Sequence, residues 1–321
     1  MRIFVAGATG AVGRPLVPLL IANGHSVIGL THTPAHANAV RALGAEAAVA
    51  DGLDATAIHA AVHAARPDVI VHEMTALKGM SDLRTFDKTF ATSNRLRTEG
   101  TDHLLAAARD ARVKRFVAQS YCGWPYARAG GTVKSEADPL DPDPPAEFRR
   151  SLDAIRYLER TVAGSASPEG IVLRYGTLYG PGTGMLDGAM ISQLRARRVP
   201  LLGDGGGFWS FVHVEDAARA TALAIERGRA GEIYNIVDDE PAPVSAWLPA
   251  LSGMVGAKQP FWIPAWIGRL LAGEHVAIMM TQSRAGSNAK AKRELAWQPE
   301  YASWRRGFSE ALKEAPPALA A

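Results

Sequence analysis

Three glycines near the N-terminus constrain this chain more than any other feature. They stand at Gly7, Gly10 and Gly13, directly after the apolar run IFVA and directly before PLVPLLIANG, which has the pattern of a helix. A glycine turn between a strand and a helix lets a phosphate approach the backbone, because no Cβ is in the way. The phosphate then meets the unpaired N–H groups of the first helical turn. The segment therefore predicts a dinucleotide-binding loop.

The end of the second predicted strand bears on the choice of dinucleotide. An NAD-specific site usually offers a carboxylate there, which binds ribose hydroxyls and repels a 2′-phosphate. Here the strand ends in Thr31 and His32, and Arg14 follows the third glycine of the loop. This pattern favours NADP as cofactor, with NAD as the second choice.

Short apolar runs alternate with amphipathic stretches through the first 175 residues. The runs lie near 2 to 6, 26 to 30, 46 to 49, 68 to 72, 114 to 119 and 170 to 174. Such alternation predicts an α/β fold with a doubly wound parallel Rossmann sheet. Beyond residue 176 the pattern becomes irregular. We expect residues 1–175 to form the dinucleotide-binding domain and residues 176–321 mainly a smaller C-terminal substrate lobe, some of whose elements return to the first domain.

Composition excludes several classes of function. The 35 basic and 32 acidic residues are interleaved and give a net charge of +3, without a basic stripe for nucleic acid or a polybasic membrane segment. The single cysteine, Cys122, excludes an internal disulfide. Because the N-terminal residues already have the pattern of a core strand, we expect no signal peptide. We expect a cytoplasmic protein that acts on a small molecule, with no nucleic acid, membrane or metal partner.

Collinear motifs along the whole chain resemble the extended and atypical short-chain dehydrogenase/reductase superfamily, of the NAD-dependent epimerase/dehydratase type. They are GATGAVG, DVIVHEMTA, TEGTDHLLAAARDARVKRFV, LRYGTLYGPG, GDGGGFWSFVHVEDAARA, GEIYNIVDDEP and NAKAKRELAWQP. The resemblance implies that Asp51 contacts adenine, although Asp51 also suits a helix N-cap. The predicted cofactor-binding residues are Gly7, Ala8, Thr9, Gly10, Ala11, Val12, Gly13, Arg14, Thr31, His32, Asp51, Gly52 and Leu53.

The catalytic motif of the superfamily is degenerate in this chain. The resemblance implies a Ser or Thr after the fifth strand and a YxxxK pair on the next helix, where the tyrosine relays a proton and the lysine lowers its pKa. Aligning that helix on FRRSLDAIRYLE puts Phe148 at the tyrosine position and Leu152 at the lysine position. No tyrosine anywhere in the chain has a lysine four residues later. The Ser/Thr position falls on Tyr121, preceded by Ser120.

Two hypotheses for Tyr121 stay open from the sequence. In the first, Tyr121 supplies a catalytic phenol, assisted by Ser120 or by a residue of the following proline-rich loop such as Tyr126 or Lys134. In the second, Tyr121 only packs against the pocket wall, and the protein binds a cofactor without hydride chemistry.

The substrate pocket is expected to be apolar. Members that bind nucleotide sugars carry an arginine where this chain has Trp209, and an indole cannot pair with a diphosphate. A sugar-nucleotide substrate is therefore disfavoured, and a hydrophobic or aromatic carbonyl compound is favoured. The predicted pocket residues are Tyr126, Phe148, Leu152, Trp209 and Met185. Further aromatic and methionine candidates are Phe208, Phe261, Trp262, Trp266, Met279 and Met280.

These features predict an NAD(P)H-dependent oxidoreductase with non-standard catalytic residues. One alternative is an isomerase, dehydratase or lyase that retains bound NAD(P) without net redox change. Another is a regulatory protein that senses the nucleotide. The resemblance also implies a homodimer formed through two long helices, here near 84 to 111 and 148 to 164.

Overall fold

The computed structural model describes residues 1–76 and 86–314. Its main strands are β1 (Arg2–Ala6), β2 (Ser26–Thr31), β3 (Glu46–Val49), β4 (Val69–His72), β5 (Arg115–Tyr121), β7 (Glu169–Tyr175) and β12 (Ile233–Ile236). These seven form one parallel sheet in the order β12-β7-β5-β4-β1-β2-β3. The predicted α/β fold with a parallel Rossmann sheet is confirmed, and each of the six strands expected from the sequence is present.

Shorter strands pair in twos outside this sheet. They are β6 (Val133–Lys134), β8 (Thr177–Tyr179), β9 (Leu201–Leu202), β10 (Phe208–Trp209), β11 (Phe211–His213), β13 (Ala242–Pro243), β14 (Trp262–Ile263) and β15 (Ala285–Gly286). The pair of β8 and β11 matters most for function, because β8 follows β7 directly and extends past the carboxyl end of the sheet. Ligands of doubly wound folds bind at that end.

Some of the helices cover the two faces of the central sheet, and others belong to the C-terminal part of the chain. The helices are α1 (Gly13–Ala22), α2 (Ala37–Ala42), α3 (Ala55–Ala65), α4 (Phe86–Thr89), α5 (Ala91–Arg95), α6 (Thr101–Asp110), α7 (Ala146–Ala163), α8 (Gly188–Arg195), α9 (Val214–Arg227), α10 (Val244–Met254), α11 (Ala265–Ala272), α12 (Glu274–Thr281), α13 (Ala289–Leu295) and α14 (Trp304–Glu314). Pro34–His36 forms a short 3₁₀ turn and Leu96–Gly100 a π-helical turn. Among the described residues, no helix combines the length and the apolar character needed to cross a bilayer.

The two faces have separate apolar cores. On one face, α1 and α9 pack against the sheet through side chains such as Leu16 and Ile225. On the other face, α3, α6 and α7 contribute residues such as Val62 and Leu158. Because β1, β4 and β5 are covered on both sides, their sequences are continuous apolar runs rather than alternating ones.

The C-terminal part of the chain forms a core of its own and also contributes elements to the central sheet. Helices α8, α10 and α14 enclose a third core around Phe211, Trp247 and Trp304. Strand β12 and helix α9 instead join the central sheet, where Ile233 of β12 aligns with Val172 of β7. The sequence alone did not locate β12, since IYNI is a short run inside an irregular region.

Candidate functional site

The glycine loop closes tightly between β1 and α1. Gly7 has a φ of 100°, and the amide of Gly10 donates to the Gly7 carbonyl over 2.9 Å. A Cβ on Gly13 would lie 2.3 Å from the carbonyl oxygen of Gly7, and a Cβ on Gly7 would lie 2.6 Å from that of Glu73. Real side chains do not tolerate such contacts with backbone, so the loop requires glycine at both positions. The remaining predicted loop residues, Ala8, Thr9, Ala11 and Val12, lie between these glycines.

A buried carboxyl group lies beside this loop. Glu73 follows β4, and its Oε1 accepts a hydrogen bond from the hydroxyl of Tyr175 over 2.9 Å. The Tyr175 hydroxyl is also 2.5 Å from Thr221 Oγ1 on α9. Burial raises the pKa of Glu73 to about 8, and the hydrogen bond from Tyr175 offsets this in part. Glu73 is therefore protonated at neutral pH.

The residues predicted to hold the adenosine half lie at the carboxyl ends of β2 and β3. The buried hydroxyl of Thr31 has no hydrogen-bond partner within the described residues, while His32 beside it is exposed. Asp51 accepts from the amide of Leu53 over 3.0 Å and so shapes its own turn. A Cβ on Gly52 would meet the sulfur of Met74 at 2.6 Å. This edge thus offers an unpartnered donor and tight backbone turns to a ligand.

Arg14 extends from the first turn of α1 back over the loop. Its Nε donates to the carbonyl of Thr9 over 3.1 Å, and the side chain is otherwise exposed. No acidic residue ends β2. The glycine cradle and the exposed Arg14 together fit a dinucleotide.

Tyr121, the last residue of β5, lines a small cleft at the carboxyl end of the sheet. Its hydroxyl is hydrogen-bonded to Thr177 Oγ1 of β8 over 3.1 Å. Burial raises the pKa of Tyr121 to about 12, so the phenol is neutral at physiological pH and can donate a hydrogen bond. The cleft is lined by Tyr121, Cys122, Gly123, Trp124, Thr177, Phe208, Trp209, Ser210, Met279 and Ser283.

Ser120 is turned away from this cleft. Its hydroxyl donates to Glu159 Oε1 on α7 over 2.7 Å, and Glu159 is held by two nitrogens of Arg174, at 2.7 and 2.6 Å. Arg174 also donates to the Tyr126 hydroxyl, which in turn donates to Asn235. Ser120 and Tyr126 thus belong to one buried polar network, and neither is among the residues that line the cleft.

The two α7 positions that align with the tyrosine and lysine of the superfamily carry apolar, buried side chains. Phe148 is stacked on Trp124 with 4.3 Å between ring centroids and packs edge-on against Phe86. Leu152 is fully buried. Neither side chain can transfer a proton. Phe148 does not line the cleft itself but packs against Trp124, which does.

Trp209 lies in the cleft wall. Its indole N–H donates to the carbonyl of Met279 over 2.8 Å, which fixes the ring against α12. Met185 packs against the C-terminal core and is not among the cleft residues. Of the further aromatic candidates, Phe208 and Met279 line the cleft. Phe261, Trp262 and Trp266 are instead exposed, the last by 67 % of its surface, and lie outside it.

Three residues near the cleft were not found from the sequence. Thr177 bonds to Tyr121, Glu159 anchors the polar network, and Arg97 is buried in the π-helical turn. The parts of the chain that the structure describes contain no group of three or more His, Cys, Asp or Glu side chains suited to a metal ion.

The seven-stranded parallel sheet and the glycine loop at its carboxyl end define a Rossmann-type dinucleotide-binding protein. More narrowly, the chain belongs to the NAD dependent epimerase/dehydratase family, whose model matches residues 3–237.

Comparison with known proteins gives both close and distant similarities. The chain is 43% identical over 311 residues, 96% of its length and 99% of the other, to a 3-diazoavenalumate denitrifying reductase of a Streptomyces species. It is 29% identical, over 80% of its length and 74% of the other, to a 4-hydroxy-2-methyl-3-oxo-4-farnesyl-3,4-dihydroquinoline-1-oxide ketoreductase of Stigmatella aurantiaca.

Among solved structures, human epimerase family protein SDR39U1 with NADPH is similar at a TM-score of 0.75 and 20% identity. The match covers 98% of this chain and all of that one. At this level of identity the structure supports the fold alone. The reductases, in contrast, support an enzyme of the short-chain dehydrogenase/reductase superfamily.

Proposed function

We propose that this protein is an NADPH-dependent reductase that removes the diazo group from an aromatic compound. One observation carries the proposal. The dinucleotide loop is intact, whereas the α7 positions for a proton-relaying tyrosine and its lysine hold the buried apolar side chains Phe148 and Leu152. Such a site suits a hydride acceptor that does not need a proton delivered to its oxygen.

The substrate chemistry explains why the two polar residues are dispensable. A bound reduced nicotinamide supplies a hydride. An arenediazonium accepts it at the terminal nitrogen, where an N–H bond forms while one N–N π bond is lost, and an aryl diazene results. The C–N bond then breaks, dinitrogen leaves, and the hydrogen ends on the ring carbon. A ketone, by contrast, becomes an alkoxide and needs a proton donor.

The side chains that line the cleft suit an aromatic substrate, although its cavity volume of about 10 Å³ requires the walls to move apart to admit one. Trp124, Trp209 and Met279 provide apolar walls, and flat aromatic rings pack well against such side chains. Tyr121 and Thr177 are hydrogen-bonded to each other in the cleft wall. In this proposal the Tyr121 hydroxyl donates a hydrogen bond to an oxygen substituent of the ring. The relative with 43% identity is named for a diazo substrate, which agrees with this assignment.

NADP is the proposed cofactor. The exposed Arg14 and the lack of a carboxylate at the end of β2 both favour a 2′-phosphate over free ribose hydroxyls.

Carbonyl reduction is the second candidate, because Tyr121 itself presents a neutral phenol at the cleft and one relative is a ketoreductase. The purified protein should be mixed with NADPH and either 2-diazophenol or a panel of aromatic ketones, while absorbance and dinitrogen release are followed. Equimolar NADPH loss and dinitrogen release with the diazo compound supports the proposal. Turnover of ketones alone refutes it. Product formation without NADPH loss would indicate a non-redox enzyme. A lack of turnover with every compound would indicate a nucleotide sensor.

Tyr121→Phe separates the two chemistries further. For diazo reduction we expect a loss of about tenfold, since one hydrogen bond to the substrate is removed. For ketone reduction the loss is about 10²- to 10⁴-fold, since the proton donor itself is removed. Tyr157→Phe is the matched control, because the Tyr157 hydroxyl bonds to Asp102 at the exposed surface. An unchanged rate in Tyr121→Phe would exclude any role of this phenol.

A further inference from the structure

A group of large apolar side chains is exposed at β14 and on α11. Their exposed fractions range from 41% to 80%. We call this surface the α11 patch, and its members are Phe261, Trp262, Trp266, Leu270 and Leu271. Single exposed apolar residues are common on soluble proteins, whereas a group of this kind usually marks an interaction site. The three aromatic members were predicted to line the substrate pocket, and the structure places them outside the cleft.

Helix α11 packs with its smallest residue toward the protein. Gly268 is buried, and a Cβ on it would lie 2.6 Å from Cδ1 of Leu202 on β9. Trp266 and Leu270, about one helical turn apart, are exposed on the same side of the helix. Surface helices normally turn large apolar side chains toward the core and polar ones toward water. Since α11 does the reverse, packing among the described residues does not account for its outer face.

Basic side chains border the α11 patch. The guanidinium of Arg197 lies over the ring of Phe261, with 5.9 Å between its central carbon and the ring centroid. Its Nη2 donates to the carbonyl of Gln259 over 3.4 Å. Arg198 follows directly in the chain, Lys258 directly precedes Gln259, and both are exposed. Three cations therefore lie at the end of the patch that Phe261 forms.

The remainder of the patch is also poor in negative charge. Arg269 is exposed on α11, and residues 241–273 contain no aspartate or glutamate. Two exposed acids border the patch. Glu274 lies two residues after α11, and Asp204 adjoins the residue whose carbonyl accepts from the Trp262 indole N–H. Four cations against two acids give this apolar surface a net positive charge.

We propose that the α11 patch docks on the surface of a membrane that contains anionic lipids. Aromatic side chains such as tryptophan are favoured at the boundary between headgroups and acyl chains. Leucines on an amphipathic helix add apolar area at the same depth, and flanking arginines and lysines are attracted by anionic headgroups. The outer face of α11 and the cations around it supply both contributions.

A second copy of the chain fits this surface less well. In a two-fold symmetric contact the same patch lies on both sides of the interface. The four cations would then face their own copies, and like charges across an interface are unfavourable. Anionic headgroups remove this repulsion, so charge complementarity favours lipid over self-association.

The sequence gave no sign of a membrane partner because it contains no polybasic segment. Arg197 and Arg198 precede β9, whereas Lys258 precedes β14, and these stretches meet only where the two strands pair. The proposal therefore revises the expectation of no membrane partner.

Vesicle binding tests the proposal without cofactor or substrate, so the result does not depend on the proposed reductase activity. The protein is sedimented with vesicles of phosphatidylcholine alone, or of an equal mixture with phosphatidylglycerol. We expect binding to the mixed vesicles with a blue shift of tryptophan emission, and at least tenfold weaker binding to phosphatidylcholine. High salt should weaken the binding. No binding to the mixed vesicles, or equal binding to both kinds, would overturn the proposal.

Variants of exposed residues identify the surface. Trp266→Ser combined with Leu270→Ser should weaken vesicle binding at least tenfold, since two large apolar side chains lose their lipid contact. Arg269→Gln should weaken it about fivefold. The controls are Val49→Ser, at an exposed apolar position of the edge strand β3, and Arg66→Gln, at an exposed cation after α3. Equal losses in the controls and the patch variants would overturn the assignment to α11.

Sedimentation velocity without lipid separates docking on a membrane from self-association. A parent that dimerises, together with a monomeric Trp266→Ser/Leu270→Ser variant, would show that the patch binds a second copy, and the proposal would fail. Equal sedimentation coefficients for the two proteins exclude self-association through the patch and support docking on lipid.

Discussion

Replacing Glu73 by glutamine should change how the stability of this protein depends on pH. Glu73 is buried, and burial raises its pKa from the ordinary value of 4.5 to about 8. The native state therefore holds a proton that the unfolded chain releases above pH 4.5. Since the native state binds more protons in this range, the free energy of unfolding falls as pH rises, and the fall ends above pH 8.

The magnitude follows from the size of the pKa shift. Each pH unit between the two pKa values changes stability by about 1.4 kcal/mol. Between pH 5 and 8 the parent should therefore lose roughly 3 to 4 kcal/mol relative to Glu73→Gln, which has no proton to release. Glutamine has the same shape and still accepts from the Tyr175 hydroxyl through its Oε1.

Urea unfolding at half-unit steps from pH 5 to 8 measures this difference. Comparing variant and parent cancels the contribution of other groups, including His72, whose pKa burial lowers to about 4. Glu274→Gln, at the exposed start of a helix, is the control. The difference in its free energy of unfolding from that of the parent should stay constant with pH. A constant difference between Glu73→Gln and the parent across this range would show that Glu73 titrates normally, and the reasoning from burial would fail.

Two further predictions concern the cofactor. Gly13→Ala places a Cβ 2.3 Å from backbone and should cost about 1–3 kcal/mol and weaken NADPH binding at least tenfold, by calorimetry. Gly253→Ala, whose Cβ would meet open space in α10, should be neutral or stabilising by up to ~1 kcal/mol, and equal effects of both would contradict the steric argument. Arg14→Ala should raise the Kd for NADPH about tenfold, or ~1.4 kcal/mol, and leave the Kd for NADH unchanged. Lys258→Ala in the C-terminal part is its control, and equal losses for both dinucleotides would argue against a 2′-phosphate contact.

The central sheet was predictable because its signals are local. The buried strands β1, β2, β4, β5 and β7 are short apolar runs, and the glycine loop joins a strand to a helix within residues 2–22. Strand β12 was not predicted because its four residues form a strand only by pairing with β7. That pairing joins distant parts of the chain.

The residues of the cleft were predictable only in part, again because some contacts join distant parts of the chain. Tyr121 was found from its place at a strand end, but its partner Thr177 lies 56 residues away and becomes a neighbour only when β5 and β7 pair. Arg97 looks like an ordinary charged helix residue, since a π-helical turn has no sequence signature. It is buried because the π-helical turn packs against α7. The hydrophobic periodicity of a single helix does not reveal a contact with another helix.

The return of α9 and β12 to the central sheet has a consequence for biosynthesis. Until the ribosome has released residue 236, β7 is an edge strand with unpaired backbone groups. The apolar face that α9 covers, around Val117 and Leu173, stays bare until residue 227 has been released. A nascent chain that already contains the glycine loop therefore still exposes an unpaired strand edge and an apolar face, both of which promote aggregation. We expect it to depend on chaperones until β12, the last strand of the central sheet, emerges.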